Sequence, residues 1–275
     1  MLLVVGNAAT ADGLVRVNET PASHDVGHIV ALANRREFWM PGGSAPAIAL
    51  AASAHAPVRL WHPLPVAEAT PSARELHASF EKSGVDVSYC PAIQDDIRAL
   101  LIEAPGARFA WSEEGTGLVP DNVAQLLDGV THVIFAPRWG IWSDLVLAEA
   151  SGRGLGCSIV GEIPDLDTRW DYVIADQRQV ASARDLSVSV VVQTLGAEGA
   201  RIAPEGAESI RIDAVPASVV DTTGAGDVFG GTFIAAAVTG YALDRAGALA
   251  AQAASRQCEK WGALPHSIQE KKDEK

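Results

Sequence analysis

SVVVQTLGAEGARI at 189–202 and DTTGAGDVFGGTFIAAAVTG at 221–240 decide how this chain reads. The first is a buried strand by pattern, rich in β-branched residues and ending in a glycine turn; the second closes on an apolar segment of helical length. Gly224 and Gly226 therefore fall where a helix begins. Both admit backbone conformations closed to other residues, so successive N–H groups can converge on one anion at the positive end of that helix. A phosphate is the natural guest. Asp227 follows at once, a carboxylate that repels a phosphate unless it faces the hydroxyl that attacks it, which makes it a candidate base. A helix cap is the competing reading, because Asp is among the best N-cap residues.

Outward from this block, short apolar runs alternate with helical stretches: LLVVG at 2–6, SAPAIALAASAHA at 44–56, VRLWH at 58–62, SARELHASFEKSG at 72–84. THVIFAP, LVLAEASGRG, CSIVGEI, YVIAD and VSVVVQTLG continue the rhythm from 131 to 196. Such βαβ alternation predicts an α/β fold with a mostly parallel sheet covered on both faces, whose ligands bind beyond the carboxyl ends of the strands. Residues 10–40 and 86–114 interrupt it, the latter with IRALLIEAP and ARFAWSEEG, which read as hairpin strands. These two segments are expected to form a small β lid over the site, against a large domain of 1–9, 41–85 and 115–275. A lid there excludes water, or else is a plain surface hairpin.

The 275 residues suffice for one large domain with a small appendage, and 48% apolar with 20% charged residues describe an ordinary globular protein. A formal charge of -13 argues against broad nucleic-acid binding. Any phosphate pocket must use backbone N–H groups and a metal instead of bulk positive charge. Cys90, Cys157 and Cys258 lie far apart and read as small apolar core residues, not as a disulfide framework or a zinc site. MLLVVGN lacks a basic leader and no apolar run is long enough for a membrane span, so a cytoplasmic location is expected. The mixed charges of QEKKDEK at 269–275 read as a frayed tail. GxxxxGK[ST], HExxH and GxSxG are all absent, and Gly152, Gly154 and Gly156 follow a helix, the reverse of a dinucleotide fingerprint.

DTTGAGDVFGGTF resembles the signature of the ribokinase-like (PfkB) carbohydrate kinases, and PGGSAPAIALA at 41–51 resembles their glycine-pair motif. Gly6 with Asp12, SGVD at 83–86, TLGAEG at 194–199 and GALP at 262–265 follow in the family's order. The resemblance implies a three-layer α/β/α domain with a small β lid, and an ATP-dependent kinase acting on a hydroxyl of a sugar-like small molecule. It further implies that Asp227 is the base, with the amides of Gly224, Ala225 and Gly226 stabilising charge on the transferred group. Thr194, Gly196 and Gly199, with Gly224 and Gly226, would contact the nucleotide, and the helix around Ala250 would border adenine. Asp12, Gly42 and Gly43, with Asp227, would face the substrate. Magnesium, and a monovalent cation such as K+ near Asp221, are the implied ions; a homodimer is a family-level expectation.

The chain departs from the family pattern at three places. Asp176 and Gln179, in YVIADQRQV, stand where Asn-x-x-Glu handles magnesium, so any metal contact there is expected through water. Ala47 stands where a sugar-contacting Asn is common, which leaves that contact to another side chain, with Arg138 or Trp139 of PRWGIWSD as candidates or as a solvated Arg and a packed Trp. The stretch between Cys157 and Asp176 is short for a full strand, loop and helix. A nucleoside or vitamin-alcohol kinase and a non-catalytic binding descendant are the alternative readings.

Overall fold

Leu2, Leu3, Val4 and Val5 are all buried, and alternate members belong to different cores: Leu2 and Val4 to one, Leu3 and Val5 to the other. A strand with both faces buried is the interior of a sheet covered on each side. A computed structural model describes residues 1–17, 39–105, 107–164, 166, 168–180 and 187–264, with the backbone alone at 16 and 107–109. The expected lid residues 18–38 and the tail 265–275 lie outside them.

The fourteen strands in chain order are β1 (Leu2–Val5), β2 (Ala11–Arg16), β3 (Met40–Pro41), β4 (Val58–Trp61), β5 (Leu64–Pro65), β6 (Ala92–Ile93) and β7 (Arg98–Ala104). There follow β8 (Ala107–Ser112), β9 (His132–Phe135), β10 (Gly156–Val160), β11 (Arg169–Asp176), β12 (Ser187–Thr194), β13 (Ala200–Pro204) and β14 (Ile210–Ile212). Eight of them form the central sheet in the order β14-β13-β12-β11-β10-β9-β1-β4. β4 through β12 run parallel in it and the β12, β13, β14 edge is antiparallel. One face carries the helices Ser44–Ala52, Pro71–Ser83, Ala225–Val238 and Leu243–Cys258; the other carries Val123–Leu126 and Ile141–Gly152. No helix among the described residues is long and apolar enough to cross a membrane.

Local chemistry sets the helix ends. Thr70 caps Pro71–Ser83 by accepting from the Ala73 amide at 2.9 Å, with Pro71 in the first turn, and Gly84 ends the helix at φ 66. Two glycines set the central helix contact. A Cβ on Gly231 would lie 2.4 Å from the carbonyl oxygen of Ile48, and one on Gly230 would meet Val160 at 2.8 Å. Helix Ala225–Val238 can therefore press directly on helix Ser44–Ala52 and on the sheet.

A second sheet, β3-β2-β7-β8, stands apart from the first. The hairpin read from IRALLIEAP and ARFAWSEEG is present, with β7 and β8 antiparallel from Ala99↔Ser112 to Ala104↔Ala107. β2 joins it in parallel, setting Asp12 beside Ala99. The expected boundary at 86 shifts. Asp86 bridges to Arg59 of β4 and accepts its Nε–H at 2.9 Å, and β6 pairs with β5, so residues 86–93 extend the edge of the large body.

The short stretch after Cys157 is a real reduction. β10 and β11 are parallel neighbours joined by residues 161–168 alone, where a parallel crossover ordinarily needs a dozen or more residues. Aromatic side chains fill the space beside them. Trp170, fully buried, meets Phe135 edge-on at 5.7 Å and Trp139 at 6.0 Å.

Candidate functional site

Gly6 after β1, Ala136 after β9 and the turn 222–224 surround a cavity of about 430 Å³ beyond the carboxyl ends of the parallel strands. Its roof is the inner face of the second sheet, where the side chains of Ala99, Leu101 and Ala110 point down beside Asp12 and Ser112, while Trp111 packs on the opposite face with Leu100 and Ile102. Sequence and packing agree on why its floor is glycine. A Cβ on Gly6 would strike that of Ala45 at 2.5 Å, and one on Gly42 would sit 2.2 Å from the Asp12 carboxylate. Gly43, at φ 93, passes under the Ala9 carbonyl oxygen, which an added Cβ would approach to 1.8 Å. Its amide donates to Asp12 Oδ2 at 3.1 Å, so the glycine pair holds the buried carboxylate of Asp12 at the cavity wall.

Asp227 reaches the same cavity from helix Ala225–Val238. It does not cap that helix. Gly224 is the N-cap, left-handed at φ 76, and its carbonyl accepts from the Val228 amide at 2.8 Å. Asp227 lies in the first turn, half-buried and open only toward the cavity. Burial pushes its carboxyl up to about 7, with the nearby Asp12 charge adding to the rise and a hydrogen bond from Ser44 opposing it. Capping would do the reverse, since the helix dipole favours the ionised form. Ser44, the residue after the glycine pair, was not singled out in the sequence; its place at the start of an apposed helix is the signal that marks it.

On the far side of the 224–226 turn lies a groove of about 730 Å³. Thr194, Gly196 and Gly199 line it together with Ala225, Gly226 and Asp176. Thr222 borders both spaces, so the turn is the partition between them. The Ala225 amide folds back onto Thr222 O at 3.2 Å, which removes it from the set of free donors; the Gly226 and Asp227 amides have no acceptor among the described residues. Gly226 has open space where a Cβ would go, whereas a Cβ on Gly199 would lie 2.0 Å from the Ile212 carbonyl oxygen. Ala250 is a correction. It is fully buried on the core side of helix Leu243–Cys258, whose Ala251, Ala254 and Ser255 line the groove. Cys258 also borders the groove, not the core.

Asp221 ties loops together. Its Oδ1 accepts from the Thr223 amide at 2.9 Å and hydroxyl at 2.6 Å, and its Oδ2 from the Gly262 amide at 2.9 Å. Asp176 and Gln179, the candidate metal residues, form a capping box on helix Gln177–Val180. Asp176 Oδ1 accepts from the Arg178 and Gln179 amides at 2.8 and 2.9 Å, and the Gln179 side chain accepts from the Asp176 amide at 3.0 Å. Gln179 is thereby committed to the cap, and Asp176 alone reaches the groove. Among the described residues no cluster of three acidic, His or Cys side chains stands ready for a metal.

Arg138 and Trp139 part company. Trp139 stacks against Phe135 at 5.1 Å and donates to Asp144 at 2.7 Å, away from the cavity. Arg138 lines the cavity at φ 70, the one non-glycine residue in left-handed conformation among those described, at a cost of roughly 1 kcal/mol. Its guanidinium donates to the Ser112 hydroxyl and to Glu113 O at 3.4 Å, spanning from the large body to the second sheet.

Residues 166–270 match the model of the pfkB family carbohydrate kinases. An ATP-dependent 6-phosphofructokinase of Thermoanaerobacterium thermosaccharolyticum is 41% identical over 69 residues, which cover 25% of this chain and 21% of that enzyme. The chain therefore matches about a fifth of that relative's length. The ribokinase of Cryptococcus neoformans var. grubii serotype A in complex with ADP superposes with a TM-score of 0.77 at 19% identity, covering 95% of this chain and 94% of that one. The ribokinase of Arabidopsis thaliana complexed with ribose and ATP gives 0.69 at 21% identity, over 95% and 93%. The chain has the ribokinase fold, and its residues 166–270 are similar to the pfkB family carbohydrate kinases.

Proposed function

We propose that this protein transfers the γ-phosphoryl group of ATP to a hydroxyl of a sugar-like small molecule. The observation that carries this reading is the 224–226 turn, which separates a cavity holding Asp227 and Asp12 from a groove edged by Thr194, Gly196 and Gly226. An acceptor in the cavity and a nucleotide in the groove would meet across that turn. The acceptor hydroxyl gives its proton to Asp227 as its oxygen bonds to the γ-phosphorus and the bridging bond to ADP breaks. The Gly226 and Asp227 amides lie where negative charge grows on the transferred group.

A carboxyl raised to about 7 is matched to this work, since a general base is most effective with its pKa near the working pH. The nucleotide of the Arabidopsis ribokinase complex supports ATP as donor. Magnesium bound with that nucleotide supplies charge neutralisation on the phosphates; Asp176 is the chain's contact toward it, through water, and Gln179 serves by orienting Asp176. K+ would reinforce loops that Asp221 already ties. The aliphatic roof of Ala99, Leu101 and Ala110 also suits the face of a flat acceptor, which keeps a nucleoside or vitamin alcohol as the second reading.

The test is magnesium-dependent ADP release across a panel of sugars, nucleosides and vitamin alcohols, comparing wild type with Asp227→Asn. Turnover is expected with at least one acceptor, reduced by about 10²-fold or more in the variant, with the fold intact. In the wild type, kcat/KM should rise about tenfold per pH unit below about 7 and level off above it. Equal turnover by the variant overturns the assignment of the base; no turnover with any acceptor leaves a binding protein.

A further inference from the structure

The acceptor cavity is poor in the groups a neutral polyol needs. Its roof is the aliphatic side chains of Ala99, Leu101 and Ala110, and Ala8, Ala9 and Ala45 add methyl groups beneath. The polar side chains at its edge are largely engaged within the protein: Ser112 with Arg138, Thr223 with Asp221, Ser44 with Asp227, and Asp12 with the Gly43 amide. Buried hydroxyls left without partners are disfavoured, so this wall gives a polyol few contacts and a charged anchor at its edge would add most to acceptor affinity.

One charge stands out. Arg138 is the only cationic side chain among the described residues lining the cavity, and it forms no ion pair with any described residue. Its contacts, the Ser112 hydroxyl and the Glu113 carbonyl, are neutral acceptors, and the exposed guanidinium at the cavity edge is offset by no described carboxylate, so an entering anion can reach it. The backbone holds it there in the left-handed region, where glycine is the undemanding choice. Asp12 and Asp227 sit together by the glycine pair, whereas Arg138 is fastened to the end of β8, so the cavity is divided into a carboxylate wall and a cationic wall.

Resting on the kinase reading above, we infer that the acceptor is an anionic alcohol. Its phosphate or carboxylate group pairs with Arg138, and its hydroxyl lies at the Asp227 wall. Arg138 is thus the specificity-determining residue for the acceptor. A planar guanidinium with free N–H groups takes either anion in bidentate fashion, and the two differ only in which compound supplies it.

Titration calorimetry with a non-hydrolysable ATP analogue present separates this from the kinase assignment, because it requires no turnover. The probes are fructose 6-phosphate against fructose and gluconate against glucose. In wild type the anionic member of at least one pair is expected to bind about tenfold or more tightly than its neutral partner, and the responding pair identifies the anion. Arg138→Gln should remove that preference, by weakening the anionic member to about the affinity of its neutral partner. Arg138→Gly is the second variant: it relieves the left-handed strain, so its melting temperature should rise while its affinity for the anionic probe falls. Neutral sugars bound as tightly as anionic ones, no binding of any probe, or anion affinity retained in both variants would each overturn the inference. Absence of phosphoryl transfer beside Arg138-dependent anion binding would instead overturn the kinase reading alone.

Discussion

Asp227 shows how far a single residue can be read. DTTGAGD marked it as either a cap or a base, and the two roles demand opposite environments. The folded chain places Gly224 at the cap and leaves Asp227 a turn later, desolvated beside Asp12, with its carboxyl raised to about 7. A stability prediction follows from the sign of that shift. Between the unfolded value near 4 and the folded value about 7, the native state holds the proton more tightly, so stability from this site is full at low pH and is lost as pH rises. Asp227→Asn should therefore melt a few degrees above wild type at pH 8 and converge with it at pH 4. Thermal melts across that range check it; a variant less stable at pH 8 would mean that the carboxylate is held by favourable contacts. Arg138 and Ser44 were harder to read, because a cavity-lining role depends on what lies opposite in space.

Two glycines of one helix carry different duties at the scale of the element. Gly226 has open space on the groove side, and Gly231 touches the Ile48 carbonyl. Gly226→Ala should stabilise the helix by about 0.5–1 kcal/mol, because nothing obstructs the added methyl group, yet raise the KM for ATP by crowding the groove. Gly231→Ala should cost about 1–3 kcal/mol by forcing the helix Ala225–Val238 away from Ser44–Ala52. Denaturant titrations of both variants, with ATP kinetics on the first, separate the roles; equal destabilisation would refute the distinction. GAGDVFGGTF gives no local sign of the difference between Gly226 and Gly231, since close helix packing and close ligand approach ask for the same missing side chain. The capping box of Asp176 and Gln179 is a similar case. D-x-x-Q was legible as a local pair, but whether it holds a metal or a helix end depended on the Arg178 and Gln179 amides that fill Asp176 Oδ1.

For the whole molecule, the junction of the two sheets turns on Asp96. Its carboxylate accepts from the Thr10 hydroxyl at 3.1 Å and the Thr70 hydroxyl at 2.6 Å, and Thr10 in turn accepts from the Ile97 amide at 3.0 Å. This buried latch joins the start of β2, the approach to β7 and the cap of helix Pro71–Ser83. Asp96→Ala should cost about 2–3 kcal/mol through the loss of charge-assisted bonds. It should also raise hydrogen exchange in β7 and β8 more than in the central sheet; uniform exchange would show that the latch holds the two sheets no more than any core contact. The alternation of apolar runs determined the three-layer parallel sheet from the sequence alone, because strand and helix periods are local and each element's buried face is written along its own residues. DTTGAGD likewise determined where an anion cradle and a carboxylate would fall, since the turn and helix start lie within seven residues. Tertiary structure decided the rest: that the 224–226 turn divides two cavities, that Ala251 and not Ala250 faces the groove, that Trp170 packs edge-on against Phe135 beside the short link from β10 to β11, and that Arg138 lines the cavity under the second sheet. Those outcomes depend on which distant segments share a volume, and burial, charge and steric contact across that volume leave no local pattern in the chain.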